Sequence, residues 1–267
     1  MLIGVFDSGI GGLTVLRALR RAWPGHSTIY LGDTARVPYG SKSRQTVVRY
    51  ARQNTHYLLS QGIELLVLAC NTASAYALEE LQSLPVPVLG VIEPGAQAAA
   101  RATRGRHIAV IGTAATIASR AYERAIERLA PGVRISARAC PLFVPLAEEG
   151  WEDTPIARLT AERYLADWLP GQPDRPDTLV LGCTHYPLLR PTLAGLLGPE
   201  MTLIDSAEAT AQAAGPLLAA RPAEARPTHR LIVTDGAEGF ARTAARLLGE
   251  PEVHLEVVDL TPPGMMD

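Results

Sequence analysis

Two cysteines stand where chemistry is possible. Cys70 closes the apolar run of LLVLACNTAS (65–74), and Cys183 closes that of TLVLGCTHYP (178–187). Hydrogen-bonding side chains follow each at once, Asn71 and Thr72 in one case, Thr184 and His185 in the other. A free thiol titrates near ~8.5, so modest tuning lets it act as base or acid near neutrality. Two thiols on opposite faces of a small substrate could perform a two-sided proton transfer: one takes a proton from carbon and the other returns one. The spacing alone does not make them face each other. Cys140, in ARACPLF, reads as a small buried hydrophobe. An odd total of three cysteines with no C-x-x-C pair gives no sign of a disulfide framework, a zinc knuckle or a thioredoxin-type redox site.

Each thiol needs neighbours to tune it. VFDSGIGGL (5–13) puts Asp7 and Ser8 at the end of an apolar run, before glycines that permit close backbone approach. The same stretch admits a second reading. With Asp33 ending the next apolar run it resembles a dinucleotide site, although Thr14 stands where the third glycine of G-x-G-x-x-G belongs. VPYG (37–40) offers the Tyr39 hydroxyl and the Gly40 backbone N–H, or is an ordinary proline-initiated turn. GTAATIAS (112–119) offers Thr113 and Thr116 as hydroxyl donors or helix caps. His185, two residues past Cys183, can hold a proton near neutral pH. Glu148 and Glu149 read as a solvated charge pair.

The elements that must hold these residues alternate. Candidate strands cover 2–6, 28–32, 64–69, 87–91, 107–112, 133–139, 178–182, 201–205, 229–234 and 252–258. Amphipathic stretches between them include 13–22, 43–61, 114–130, 156–169, 187–198, 207–219 and 237–249. This pattern predicts an α/β chain with parallel sheets covered by helices on both faces. Ten strands are too many for one small sheet, so two doubly wound sheets are expected. Ligands of such sheets bind beyond the carboxyl ends of strands, where both cysteines fall, each expected at a helix N-terminus.

The composition narrows the functional classes. The 267 residues carry a net charge of −2, 5% aromatics and a single lysine, Lys42, so a nucleic-acid-binding face is not expected. No run of apolar residues is long enough to span a membrane, and MLIGVFDSG lacks the basic and apolar regions of a signal peptide. A cytoplasmic protein is expected. No lysine is placed for a Schiff base, and nothing suggests a metal or another cofactor.

Taken together, FDSGIGGL, GDTARVPYG, LACNTAS, GTAAT, CPLFVPLAEEG and LGCTHYP, in order from residue 6 to 187, resemble the glutamate racemase family. These are cofactor-independent amino-acid racemases that supply D-glutamate for the peptidoglycan of the bacterial cell wall. The resemblance implies two similar α/β domains, 1–96 plus 207–267 and 97–206, with the substrate between them. It implies that Cys70 acts on D-glutamate assisted by Asp7, and Cys183 on L-glutamate assisted by His185. Ser8, Tyr39, Gly40, Asn71, Thr72, Thr184 and, less directly, Thr116 match substrate-binding positions, with Glu149 a further candidate near the amino group. Dimers are common in the family. Aspartate racemases share the paired cysteines, but in them a glutamate usually follows the second Cys-Thr, where this chain has His185.

Overall fold

The computed structural model describes residues 1–260. The last seven residues of the expected 207–267 segment lie outside the described residues. All ten expected strands form: β1 (Leu2–Asp7), β2 (Ser27–Gly32), β3 (Leu65–Leu68), β4 (Val88–Gly90), β5 (His107–Gly112), β6 (Arg134–Ala139), β7 (Thr178–Gly182), β8 (Thr202–Asp205), β9 (His229–Val233) and β10 (Leu255–Val257). They make two sheets, one of six strands in the order β10-β9-β2-β1-β3-β4 and one of four in the order β6-β5-β7-β8. Every pairing is parallel. The first sheet draws its strands from both ends of the described chain, the second from the middle.

Parallel strands need crossover helices, which cover both faces and explain the unbroken apolar runs. The two-residue period sorts those runs. Leu65, Val67 and Ala69 join one core with Ile3, Val5 and Leu16. Leu66, Leu68 and Cys70 join the core on the opposite face with Phe6, Val47 and Leu58. In the second sheet Leu179, Leu181 and Cys183 pack with Ala109 and Ile111, whereas Val180 packs with Ile108 and Val110. Each thiol thus continues the parity of one buried face.

The helical stretches depart from expectation at proline and at strained backbone. The run 187–198 splits into a 3₁₀ turn, Tyr186–Leu189, and a helix, Arg190–Leu197. Pro191 lacks an N–H and fits only the first turn of an α-helix, so the helix starts beside it. Cys183 therefore precedes a tight turn and not the α-helix N-terminus that was expected. The run 114–130 breaks into Ala114–Ser119 and Ala121–Leu129 at Arg120, whose φ of 55° lies in the left-handed region. Besides Asn71–Leu81, which was expected after Cys70, the helices Ile92–Ala102 and Phe143–Glu148 fall outside the amphipathic runs. Ile92–Ala102 carries Pro94 and Gly95 in its opening turn, which disguises it. It packs mainly on the second sheet, with Ile92, Ala96 and Ala99 in that core.

Candidate active site

Strand order reverses around β1 and β3 in the first sheet and around β5 and β7 in the second. The crevices beyond these strand ends are where doubly wound sheets bind ligands. Asp7 ends β1, Cys70 follows β3, Thr113 follows β5 and Cys183 follows β7. All but Asp7 line one narrow cavity of about 20 Å³, together with Ser8, Tyr39, Gly40, Asn71, Thr72, Thr184 and His185. The cavity admits a water or two, so the walls must part for a larger ligand. An open groove of about 700 Å³ adjoins it, lined by Gly9, Val37, Glu148, Arg246 and others.

Cys70 caps the helix Asn71–Leu81. Its sulfur lies 3.5 Å from Ser8 Oγ. Burial pushes the thiol up to about 12, the Asp7 charge adds to this, and the contacts with Ser8 and the Ala73 N–H oppose it. At neutral pH Cys70 is a protonated thiol, ready to give a proton. Asp7 was expected beside Cys70. Its two oxygens accept from the Gly9 N–H at 2.9 Å and from Thr184 Oγ1 at 3.4 Å. It therefore acts on the Cys70 sulfur through its charge, while bonding to the element that carries Cys183. Burial raises the Asp7 carboxyl, against the lowering effect of His185.

On the other side, His185 bridges two groups. Its Nδ1 is 3.8 Å from Cys183 Sγ and its Nε2 is 3.2 Å from Glu148 Oε1. Burial works against the imidazolium, but the Cys183 and Glu148 contacts reverse this and hold it up to about 10. A doubly protonated ring donates to both neighbours at once. Glu148 is exposed, as expected of a solvated charge, and lines the outer groove, yet its carboxylate reaches back to His185. Glu149 is exposed and lines only the outer groove. The helix Phe143–Glu148 ends on the residue that faces His185, a feature that adjacent glutamates in sequence do not reveal.

A pH dependence follows. His185 titrates near 6.5 when exposed and near 10 when folded. Its contribution to stability is full below about 6.5 and is lost as pH rises through about 10, because the folded state binds the extra proton in that window. The stability gap between the natural protein and His185→Asn is expected to narrow from pH 6 to pH 10, measured by urea unfolding of both. A gap that stays constant or widens contradicts this account of the imidazolium.

The remaining expected residues divide. Tyr39 lines the cavity, but its hydroxyl donates to Asp33 and meets Asn54 Nδ2 at 3.1 Å, so the expected free hydroxyl is committed elsewhere. Asp33 also accepts from Arg36 and Thr234 and is fully buried, which leaves no carboxylate for a ribose. Thr72, Thr113 and Thr116 form a triangle of hydroxyls 2.9 to 3.1 Å apart, joining the two strand-end loops. Thr116 is buried behind the cavity, and Thr113 is the one that lines it. Asn71 Oδ1 accepts from Tyr122, and its Nδ2 has no partner among the described residues. The glycines of DSGIGG serve packing: a Cβ at Gly11 would stand 2.4 Å from Thr184 Oγ1 and 2.6 Å from His185 Nδ1. Among the described residues no cluster of His, Cys, Asp and Glu could hold a metal ion, and no helix is long and apolar enough to cross a membrane.

The chain and its fold have counterparts among known proteins. Residues 3–214 match the model of the Asp/Glu/hydantoin racemase family, and the chain belongs to that family. Within it, the chain is similar to glutamate racemases. It is 52% identical over 252 residues to the glutamate racemase of Geobacter metallireducens, covering 92% of each chain. Its fold superposes on a glutamate racemase isoform of Bacillus anthracis with a TM-score of 0.91, at 39% identity over 97% of each chain. The glutamate racemase of Francisella tularensis, solved in complex with D-glutamate, gives 0.88 at 36% identity, again over 97% of each chain. An aspartate racemase of Picrophilus torridus shares the fold with a TM-score of 0.57 at 19% identity, over 82% of this chain and 94% of that one.

Proposed function

We propose that this protein is a glutamate racemase that interconverts L- and D-glutamate by two-thiol proton transfer at the α-carbon, without a cofactor. The observation that carries the reading is the pair Cys70 and Cys183, brought from different sheets to one narrow cavity. Ligand binding alone does not call for two buried thiols. The similarity to glutamate racemases over nearly the whole chain favours glutamate over aspartate, and so does His185 after the second Cys-Thr. The product serves peptidoglycan synthesis, which fits a cytoplasmic enzyme. The reading also carries the division into two domains, 1–96 plus 207–267 and 97–206. The crossing near residue 96 falls inside the helix Ile92–Ala102, and the return near 207 falls at the start of Ser206–Ala213.

In this mechanism L-glutamate loses its α-proton to Cys183 while the Cys70 thiol delivers one to the opposite face. D-glutamate runs the same path backwards. The α-proton is very weakly acidic, so carbanion character must be met by donors already in place. The free N–H groups at the start of Asn71–Leu81 are suited to a carboxylate. Closure of the small cavity excludes water and strengthens those contacts. His185 and Glu148 supply and hold a proton beside Cys183, and Asp7 and Ser8 flank Cys70. The test is incubation with L-glutamate, no cofactor added, and chiral detection of D-glutamate. Racemisation of aspartate but not glutamate, or no racemisation at all, contradicts the proposal.

A further inference from the structure

Tyr122 takes no part in the chemistry above, yet the fold makes special room for it. It is 1% exposed. Its ring packs closely against two glycines, Gly182, where a Cβ would also meet the Ile111 carbonyl oxygen at 2.6 Å, and Gly95. A Cβ at Gly182 would sit 3.0 Å from Tyr122 Cε2, and one at Gly95 would sit 3.2 Å from its hydroxyl oxygen. Gly95 stands within the helix Ile92–Ala102, where glycine is a poor helix former. Two residues before Tyr122 in the chain, Arg120 breaks the helix in a left-handed conformation that a side chain rarely adopts.

The hydroxyl so housed reaches across to the other sheet. It donates to Asn71 Oδ1 at 2.7 Å. Asn71 is 2% exposed and lines the cavity with both thiols. Its Nδ2 is fully buried and has no partner among the described residues. A carboxamide whose oxygen is fixed by a donor must present its N–H₂ on the opposite side. Were the amide turned over, a carbonyl oxygen would face the ligand and repel a carboxylate. Burial raises the Tyr122 hydroxyl above its ordinary range, so it stays a proton donor at any working pH, and Ser206 is its other hydrogen-bonding neighbour.

We propose that Tyr122 is a positioning residue for substrate recognition: its hydroxyl fixes the Asn71 carboxamide so that Nδ2 donates to a carboxylate of the bound amino acid. The identity of that ligand rests on the racemase reading. A contact made equally in ground and transition states lowers KM and leaves kcat alone. Tyr122→Phe keeps the ring and removes the donor. It is expected to raise KM for both glutamate enantiomers about tenfold, the size of one neutral hydrogen bond. Turnover and the pH profile of kcat/KM are expected to stay as in the natural protein. In an Asn71→Ala background, adding Tyr122→Phe is expected to change nothing further, since the group it positions is gone.

A measurement on the natural protein guards against misfolding of the variant. The side-chain ¹⁵N–¹H₂ signal of Asn71, assigned by its loss in Asn71→Ala, is expected to shift on adding D-glutamate. An unchanged KM in folded Tyr122→Phe, full additivity in the double variant, or an Asn71 signal unmoved at saturating D-glutamate would each overturn the role. Failure of the natural protein to racemise glutamate would instead overturn the racemase reading.

Discussion

Cys70→Ala and Cys183→Ala are each expected to lower racemisation in both directions by roughly 10²–10⁴ or more, the contribution of a positioned acid or base. The two enantiomers have equal free energy, so kcat/KM must fall equally both ways. Each direction uses both sulfurs, one as base and one as acid. The Cys70 thiol, pushed up to about 12, carries its proton at neutral pH and so enters the L-glutamate reaction as the acid. The imidazolium 3.8 Å from Cys183 is the nearest store of protons on the other side. Solvent exchange of the α-proton separates the two variants. With Cys70 gone, Cys183 is expected still to exchange the α-proton of L-glutamate slowly without inversion. With Cys183 gone, any residual exchange is expected on D-glutamate. Chiral analysis coupled to mass spectrometry reads both. Full activity in either variant would remove that thiol from the mechanism.

Gly11→Ala carries the second large effect, though Gly11 bears no chemistry. The added Cβ would meet Thr184 Oγ1 at 2.4 Å and His185 at 2.6 and 2.8 Å. Neither neighbour can swing aside. Thr184 is tied to Asp7, its carbonyl accepts from Thr14 Oγ1 at 3.2 Å, and His185 is held by Glu148. The loop 183–185 must retreat, and Cys183 retreats with it. A misplacement of about 1 Å at a reacting group costs on the order of 10²-fold. Turnover is expected to fall by about that factor, whereas the fold is expected to survive, because Gly11, Thr184 and His185 lie outside both apolar cores. Gly239→Ala, with nothing within 4 Å of the added carbon, is the matched control. Natural turnover in Gly11→Ala would show that the site does not need so close an approach.

Much of this was legible in the chain because parallel strands buried on both faces announce themselves as continuous apolar runs. Helix boundaries were less legible. Local propensity does not register a left-handed Arg120 or the start forced by Pro191. The thiols were visible as residues that end an apolar run and precede polar ones. Their convergence was not, since no periodicity relates β3 to β7. Contacts between segments distant in the chain were hidden for the same reason. Ser8 beside Cys70, Glu148 beside His185, and Tyr122 beside Asn71 pair residues 37 to 62 positions apart. Glycine misled in one place and informed in another. DSGIGG invited a dinucleotide-site reading, whereas its Gly11 lets Thr184 and His185 close in.

The central claim is that two different groups serve the two faces of the α-carbon, and labelling tests it most directly. L-glutamate is incubated with the protein in D₂O, and both enantiomers are recovered early, before appreciable back-reaction. The expected result is deuterium at the α-carbon of the D-glutamate formed and protium in the L-glutamate that remains. Equal early labelling of recovered substrate and product would contradict the account, because it is the signature of a single base that serves both faces.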